Sequence, residues 1–171
     1  MMVRLSLRVL VLLALLPVAL AACEVRTDRW IERQAAVDPP ELWRVEVVGS
    51  DARPVQLCAD SILRKGFVSP LPEAEGQPCI PIGDPVETAG GRIQRCAIGN
   101  QTLLVAVRVE GDPAAFTVTF SAQTLRQRTP FAASQTRRYT RLGPCPEGWK
   151  VGDNTDQNGE RRNNIWPPAW G

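Results

Sequence analysis

From Trp43 to Leu142 the apolar residues tend to fall on every second position, in short stretches broken by glycine or proline. That is the period of a half-buried strand. Trp43, Val45 and Val47 alternate with Arg44 and Glu46; a turn over Asp51 to Pro54 leads to a second strand, Val55 to Cys58. Asp60 or Ser61 caps a single helical turn through Lys65, which Gly66 is expected to end. Phe67 to Pro78 holds three prolines and a glycine and reads as loop. Cys79 to Glu87 carries Pro81 and Pro85, each without a ladder donor, so it belongs at a sheet edge. Gly90-Gly91 turns the chain into Arg92 to Ile98. Leu103, Val105, Val107 and Val109 line one face of the next strand, and Gly111-Asp112-Pro113 breaks it. Phe116, Val118 and Phe120 return against Thr117, Thr119 and Ser121, and Thr124 to Arg128 and Arg137 to Leu142 add two more strands. About eight short strands and one helical turn predict a mainly β fold: a single antiparallel curled sheet, sandwich or barrel-like. After Pro146 the period is lost, and the chain is expected to leave the sheet.

The first 22 residues differ in kind. Arg4 and Arg8 precede an apolar run from Val9 to Leu20, broken only by Pro17. The run is shorter than the ~20 residues a bilayer needs, as in a cleavable export signal. Its end, Leu20-Ala21-Ala22-Cys23, resembles the bacterial lipobox. The resemblance implies that Cys23 receives a diacylglyceryl group and becomes the first mature residue, with three acyl chains in all. One chain binds a membrane marginally; three hold it. Glu24 follows, without the aspartate linked to inner-membrane retention in some bacteria, so the outer membrane is favoured. The organisation expected is a signal over 1–22, a tether or short surface helix over 23–38, a β domain over 39–146 and a polar, then aromatic tail over 147–171. Within 23–38, Arg26, Arg29, Trp30 and Arg33 recur at helical spacing, but too few apolar residues accompany them to pack, which favours the tether.

Removing the leader leaves 149 of the 171 residues, enough for one domain with a core. It also removes two arginines and no acids, so 18 basic residues face 18 acidic ones. A mature charge near zero gives no basic stripe for nucleic acid. The chain has no histidine, which excludes Ser-His and Cys-His nucleophile pairs and the usual His-containing zinc sites. With Cys23 lipidated, Cys58, Cys79, Cys96 and Cys145 remain, and an even number in an exported domain reads as two disulfides. Three connectivities are open at this point.

Four places carry a family resemblance: "PELWRVEVV" from Pro40, "VQLCAD" from Val55, the Cys79 and Cys96 segments, and "RRYTRLGPCP" from Arg137 to Pro146. Together they resemble the bacterial domain of unknown function 3617 family, whose members are exported or lipid-anchored. The resemblance covers about Pro39 to Pro146. It departs at Glu41, where a glycine is usual, and in the long tail. It implies compartment and a β fold, and brings no catalytic residue, cofactor or ligand. In this layout Cys79 and Cys96 bracket the Gly90-Gly91 hairpin and are expected to pair, leaving Cys58 with Cys145 to join early and final strands.

Candidate chemistry is sparse. Asn154, Asp156 and Asn158 before Gly159 look like the first half of a calcium loop, but Ile165 stands where its bidentate glutamate belongs. Arg161 and Arg162 add positive charge, so a solvated turn is the better account and no metal is expected. "WPPAWG" places Trp166 and Trp170 around stiff prolines, as contacts for an envelope protein or cell-wall sugar, or as cover for the sheet. Arg126, Arg128, Arg137, Arg138 and Arg141 form a late basic cluster that would meet anionic lipid or polysaccharide, or merely line wet strand faces. Asp60 with Ser61, and Glu73 with Glu75, fit capping and loop roles.

The expectation is therefore a lipid-anchored, periplasm-facing envelope protein acting as a non-catalytic interaction or structural module, without a cofactor. Trp166, Trp170, Arg137, Arg138 and Arg141 are its candidate partner contacts. The alternative is a small hydrophobic-ligand carrier, with a cavity lined by Leu103, Val105, Phe116 and Val118.

Overall fold

The computed structural model describes residues 36–74, 76–125 and 132–163. The chain divides into two units, Met1–Pro39 and Pro40–Gly171, and the second carries the fold. In chain order its elements are β1 (Glu41–Val47), β2 (Val55–Ala59), α1 (Ser61–Phe67), β3 (Glu73–Ala74), β4 (Gln77–Pro78), β5 (Ile80–Thr88) and β6 (Gly91–Ile98). β7 (Gln101–Asp112), β8 (Ala115–Thr124), β9 (Ala132–Pro144), β10 (Asn154–Thr155) and β11 (Arg161–Arg162) complete it. Among the described residues nine strands form one sheet in the order β11-β10-β2-β1-β9-β8-β7-β6-β5, and β3 pairs with β4 beside it. Every pairing is antiparallel. The single antiparallel sheet, the helix and both disulfides follow the sequence expectation.

The two sides of the sheet follow the alternation. Trp43 and Val45 on β1, Leu103, Val105 and Val107 on β7, Val118, Phe120 and Ala122 on β8 and Tyr139 on β9 are buried in one core. Phe67 of α1 joins them, packing its ring 4.6 Å from that of Tyr139. The residues between them are polar or half exposed, as on a sheet with one covered and one wet face. β5 is the edge strand that its prolines demand. A bulge between Ile82 and Val86 interrupts it, and the Gln94 side-chain amide donates to the Gly83 carbonyl there at 3.1 Å.

Both hairpin ends need glycine. A side chain on Gly111 (φ +121°) would place its Cβ 2.8 Å from Phe116 Cα, so only glycine allows β7 and β8 to pair this closely there. Gly91 (φ +123°) meets the Val107 main chain in the same way.

Cys58 bonds Cys145 and Cys79 bonds Cys96, with Cα–Cα distances of 5.6 and 5.5 Å. The first joins β2 to the end of β9 across the start of β1, which lies between them. The second ties Cys79, between β4 and β5, to β6 inside the core.

Three expectations need correction. α1 does not stop at Gly66 but runs to Phe67, because one further residue brings the Phe67 ring into the core. Its N-cap is Asp60, whose Oδ1 accepts the Leu63 N–H at 2.8 Å. Thr124 ends β8 and starts no new strand; Leu125 follows in a bend, and residues 126–128 lie outside the described residues. Over its described residues, up to 163, the tail does not leave the sheet. Asn154 pairs with Leu57, so β10 covers the β2 edge and β11 pairs with β10. These two-residue strands have no room for an alternating pattern; backbone bonds and side-chain contacts, such as the Gln56 N–H to Thr155 Oγ1 at 2.9 Å, place them.

Candidate functional site

β1, β9, α1 and the β7–β8 turn meet around one cleft of about 420 Å3, lined by Glu41, Trp43, Arg64, Phe67, Phe116 and Arg141 among others. Its wall is aromatic. Trp43 stands edge-on to Phe67 and Phe116, with centroids 5.6 and 5.8 Å away. Behind them the Tyr139 ring stacks on both phenylalanines, 4.6 and 5.0 Å from their centroids. Pairs of this geometry stabilise beyond the area they bury. The Trp43 Nε1–H is buried and meets no acceptor among the described residues.

The rim is charged. Glu41 opens β1, and its two carboxylate oxygens take different arginines: Arg64 of α1 on Oε2 and Arg141 of β9 on Oε1, the latter at 3.0 Å. Arg64 and Phe67 carried no signal, since α1 brings them to β1 only on folding.

A smaller cleft of about 240 Å3 lies beside β6 and β7, lined by Leu71, Pro81, Arg92, Gln94, Val105 and Val107 among others. The four residues expected around a carrier cavity do not share one in either cleft. Leu103, Val105 and Val118 are packed in the core, Val105 reaching only the smaller cleft, while Phe116 lines the larger.

The late arginines separate. Strand alternation turns Arg137 inward, where it is 3% exposed and lies 5.3 Å above the Phe120 ring. Its Nε donates to Gln135 Oε1 at 2.6 Å, and its guanidinium also hydrogen-bonds Tyr139. Arg137 is thus a core residue and no surface contact. Burial raises the pKa of Tyr139, opposed by the Arg137 charge and hydrogen bond. Arg138 faces the opposite, wet side at 3.6 Å from Glu46. Arg141 returns to the core side, at the cleft rim. Arg126, Arg128, Trp166, Trp170 and Cys23, the expected lipidation site, lie outside the described residues.

The calcium-like stretch is a turn that supplies its own ligands. Asp156 Oδ1 accepts the N–H groups of Asn158 and Glu160 at 2.8 and 2.9 Å, and Arg162 donates to Oδ2 at 2.8 Å. These bonds hold the Asp156 carboxyl below the usual carboxylate range, the Glu160 N–H contributing most. Asp153 next to it is buried; its Oδ2 accepts the Lys150 N–H at 2.7 Å and an Arg161 guanidinium hydrogen. Arg161 also lies 5.8 Å over the Trp149 ring.

Compared with known proteins, the chain matches no family model, no curated protein and no solved structure.

Proposed function

We propose that this protein is a lipid-anchored, periplasm-facing envelope protein, on the outer membrane, acting as a non-catalytic interaction or structural module. The observation that carries the reading is the pair of core-linked disulfides holding one filled sheet, which suits an oxidising compartment. A leader ending at Cys23 supports the same compartment and supplies the anchor. The reading includes kinship with the domain of unknown function 3617 family. In its favour, the "PELWRVEVV" strand and the strand ending Gly143-Pro-Cys145 lie side by side, Leu42 opposite Gly143. Two of the carboxylates singled out in the sequence serve structure: Asp60 caps α1 and Asp156 ties a turn. Trp166, Trp170, Arg138 and Arg141 remain the partner contacts of this reading, with Arg137 withdrawn into the core.

Cell fractionation of Cys23→Ser tests the anchor: the reading expects the variant to leave the membrane fraction or to stall before processing. Unchanged anchoring and processing would overturn it. Crosslinking in cells from Trp166 or Trp170 identifies the partner.

A second reading, a carrier of small hydrophobic ligands, is favoured by one observation: the aromatic wall of the larger cleft. It moves the carried ligand from the sheet core to the cleft between β1, β9 and α1.

A further inference from the structure

The side of the sheet away from the core is divided in two. Over β1, β8 and β9 it is polar: Arg138 meets Glu46, and the Thr119 and Thr136 hydroxyls share a hydrogen bond at 3.2 Å. Over β5, β6 and β7 it is aliphatic. Ile80, Ile82 and Val86 of the edge strand are 67, 39 and 60% exposed. The register continues this surface inward, Val86 to Ile93 to Ala106 in one row and Ile82 to Arg95 to Leu104 in another. Ile93, Leu104 and Ala106 are half-buried there. Arg95 stands in the middle, exposed, and its guanidinium has no hydrogen bond or ion pair among the described residues. A contiguous exposed apolar patch of this kind marks an interaction surface.

We infer that this patch lies against the bilayer: Ile80, Ile82 and Val86 enter the boundary between head groups and acyl chains, and Arg95 reaches the phosphates of anionic lipid. The inference rests on the lipid-anchor reading and deepens it, because that reading leaves the orientation of the domain open. Sixteen residues separate Cys23 from Pro40, so the anchor keeps the domain within about 55 Å of the lipid surface. At the effective concentration such a tether sets, a contact too weak to hold a free protein suffices. Charge selects lipid as the occupant. An aliphatic surface around an unpaired guanidinium fits a layer that offers hydrocarbon and phosphate side by side. A second copy stacked patch on patch would bury two Arg95 guanidiniums together. Six aliphatic side chains also fall short of the roughly 20–30 residues a side of a stable protein interface. Strand pairing at the β5 edge is opposed by Pro81 and Pro85.

Isoleucine-methyl NMR of the protein extracted from membranes tests this, in nanodiscs of equal parts phosphatidylcholine and phosphatidylglycerol doped with a nitroxide-labelled lipid. Ile62 is the internal control: it is 71% exposed but sits on α1, over the opposite side of the sheet. The nitroxide is expected to broaden the Ile80 and Ile82 signals and to leave Ile62 sharp. Arg95→Gln should lower the population in lipid contact about fivefold, and so should omitting phosphatidylglycerol. Ile82→Asp should abolish the contact, while Arg138→Gln, on the polar half, should change nothing. Equal broadening of Ile62 and Ile80, or of neither, in a chain whose mass includes the acyl groups would overturn the inference and leave the anchor reading standing. Broadening indifferent to Arg95→Gln would overturn the phosphate contact. Ile80 and Ile82 signals that respond to protein concentration and not to the nitroxide would give the patch to a second copy and overturn the inference likewise. A mass without acyl groups would sink the anchor reading and this orientation with it.

Discussion

The tail brackets Cys58 through its main chain: the Cys58 N–H donates to the Asp153 carbonyl at 2.9 Å, and the Cys58 carbonyl accepts the Gly152 N–H at 2.8 Å. The Cys58 side chain bonds Cys145. β2 is therefore clamped twice at one residue, covalently toward β9 and by hydrogen bonds toward β10.

The two disulfides should contribute unequally. Cys58 and Cys145 are separated by 87 residues, Cys79 and Cys96 by 17. Loop-closure entropy then gives about 4–5 kcal/mol for the first and about 3 for the second. Guanidinium unfolding of the two double-alanine variants checks the order, which fails if the shorter loop costs more.

Asp153 should confer an acid-sensitive share of stability. The Lys150 N–H, most of all, and then Arg161 lower its pKa against the opposing effect of burial. The folded state therefore favours the carboxylate, so this share is present above the ordinary aspartate pKa, about 4, and is lost as pH falls through the folded value. Asp153→Asn should lower the melting temperature at pH 6, with the gap to wild type narrowing by pH 3. A gap independent of pH would contradict the assignment.

Neighbouring arginines on β9 should behave differently. Arg137→Ala removes a buried guanidinium from Phe120, Gln135 and Tyr139 and should cost about 2–4 kcal/mol. Arg138→Ala breaks an exposed pair and should cost under about 1 kcal/mol. Urea unfolding distinguishes them, and equal costs would refute the burial of Arg137.

Gly111→Ala should destabilise by about 2 kcal/mol or more, since strain at positive φ adds to a clash with β8. Gly49→Ala, at φ +81° in open space, bears strain alone and should cost less. Thermal unfolding of both variants ranks them; a larger loss at Gly49 would contradict the close approach at Gly111.

Strands β6 to β8 were legible in the sequence because one wet face makes them alternate, as Val105 and Phe120 do against Arg108 and Ser121. The prolines at 81 and 85 likewise marked the edge. The end of α1 was misread because the rule that glycine stops helices competes with burial of Phe67, and burial won. β10 and β11 were hidden because the bonds at Gly152, Asp153 and Asn154 leave no hydrophobic period. The cleft was the least visible: Glu41, Arg64 and Arg141 are remote in sequence, and only sheet order brings β1 beside β9. Arg137 was grouped with Arg138 by charge, though strand alternation sends neighbours to opposite faces.

The central claim, an envelope lipoprotein with a doubly stapled domain, is tested most directly by the intact mass of the protein extracted from membranes. The account predicts a chain beginning at Cys23, heavier by three acyl chains and their glyceryl link, and lighter by the hydrogens that two disulfides remove. A mass matching the unprocessed chain, or a mature chain with an unmodified Cys23 and free thiols, would contradict it.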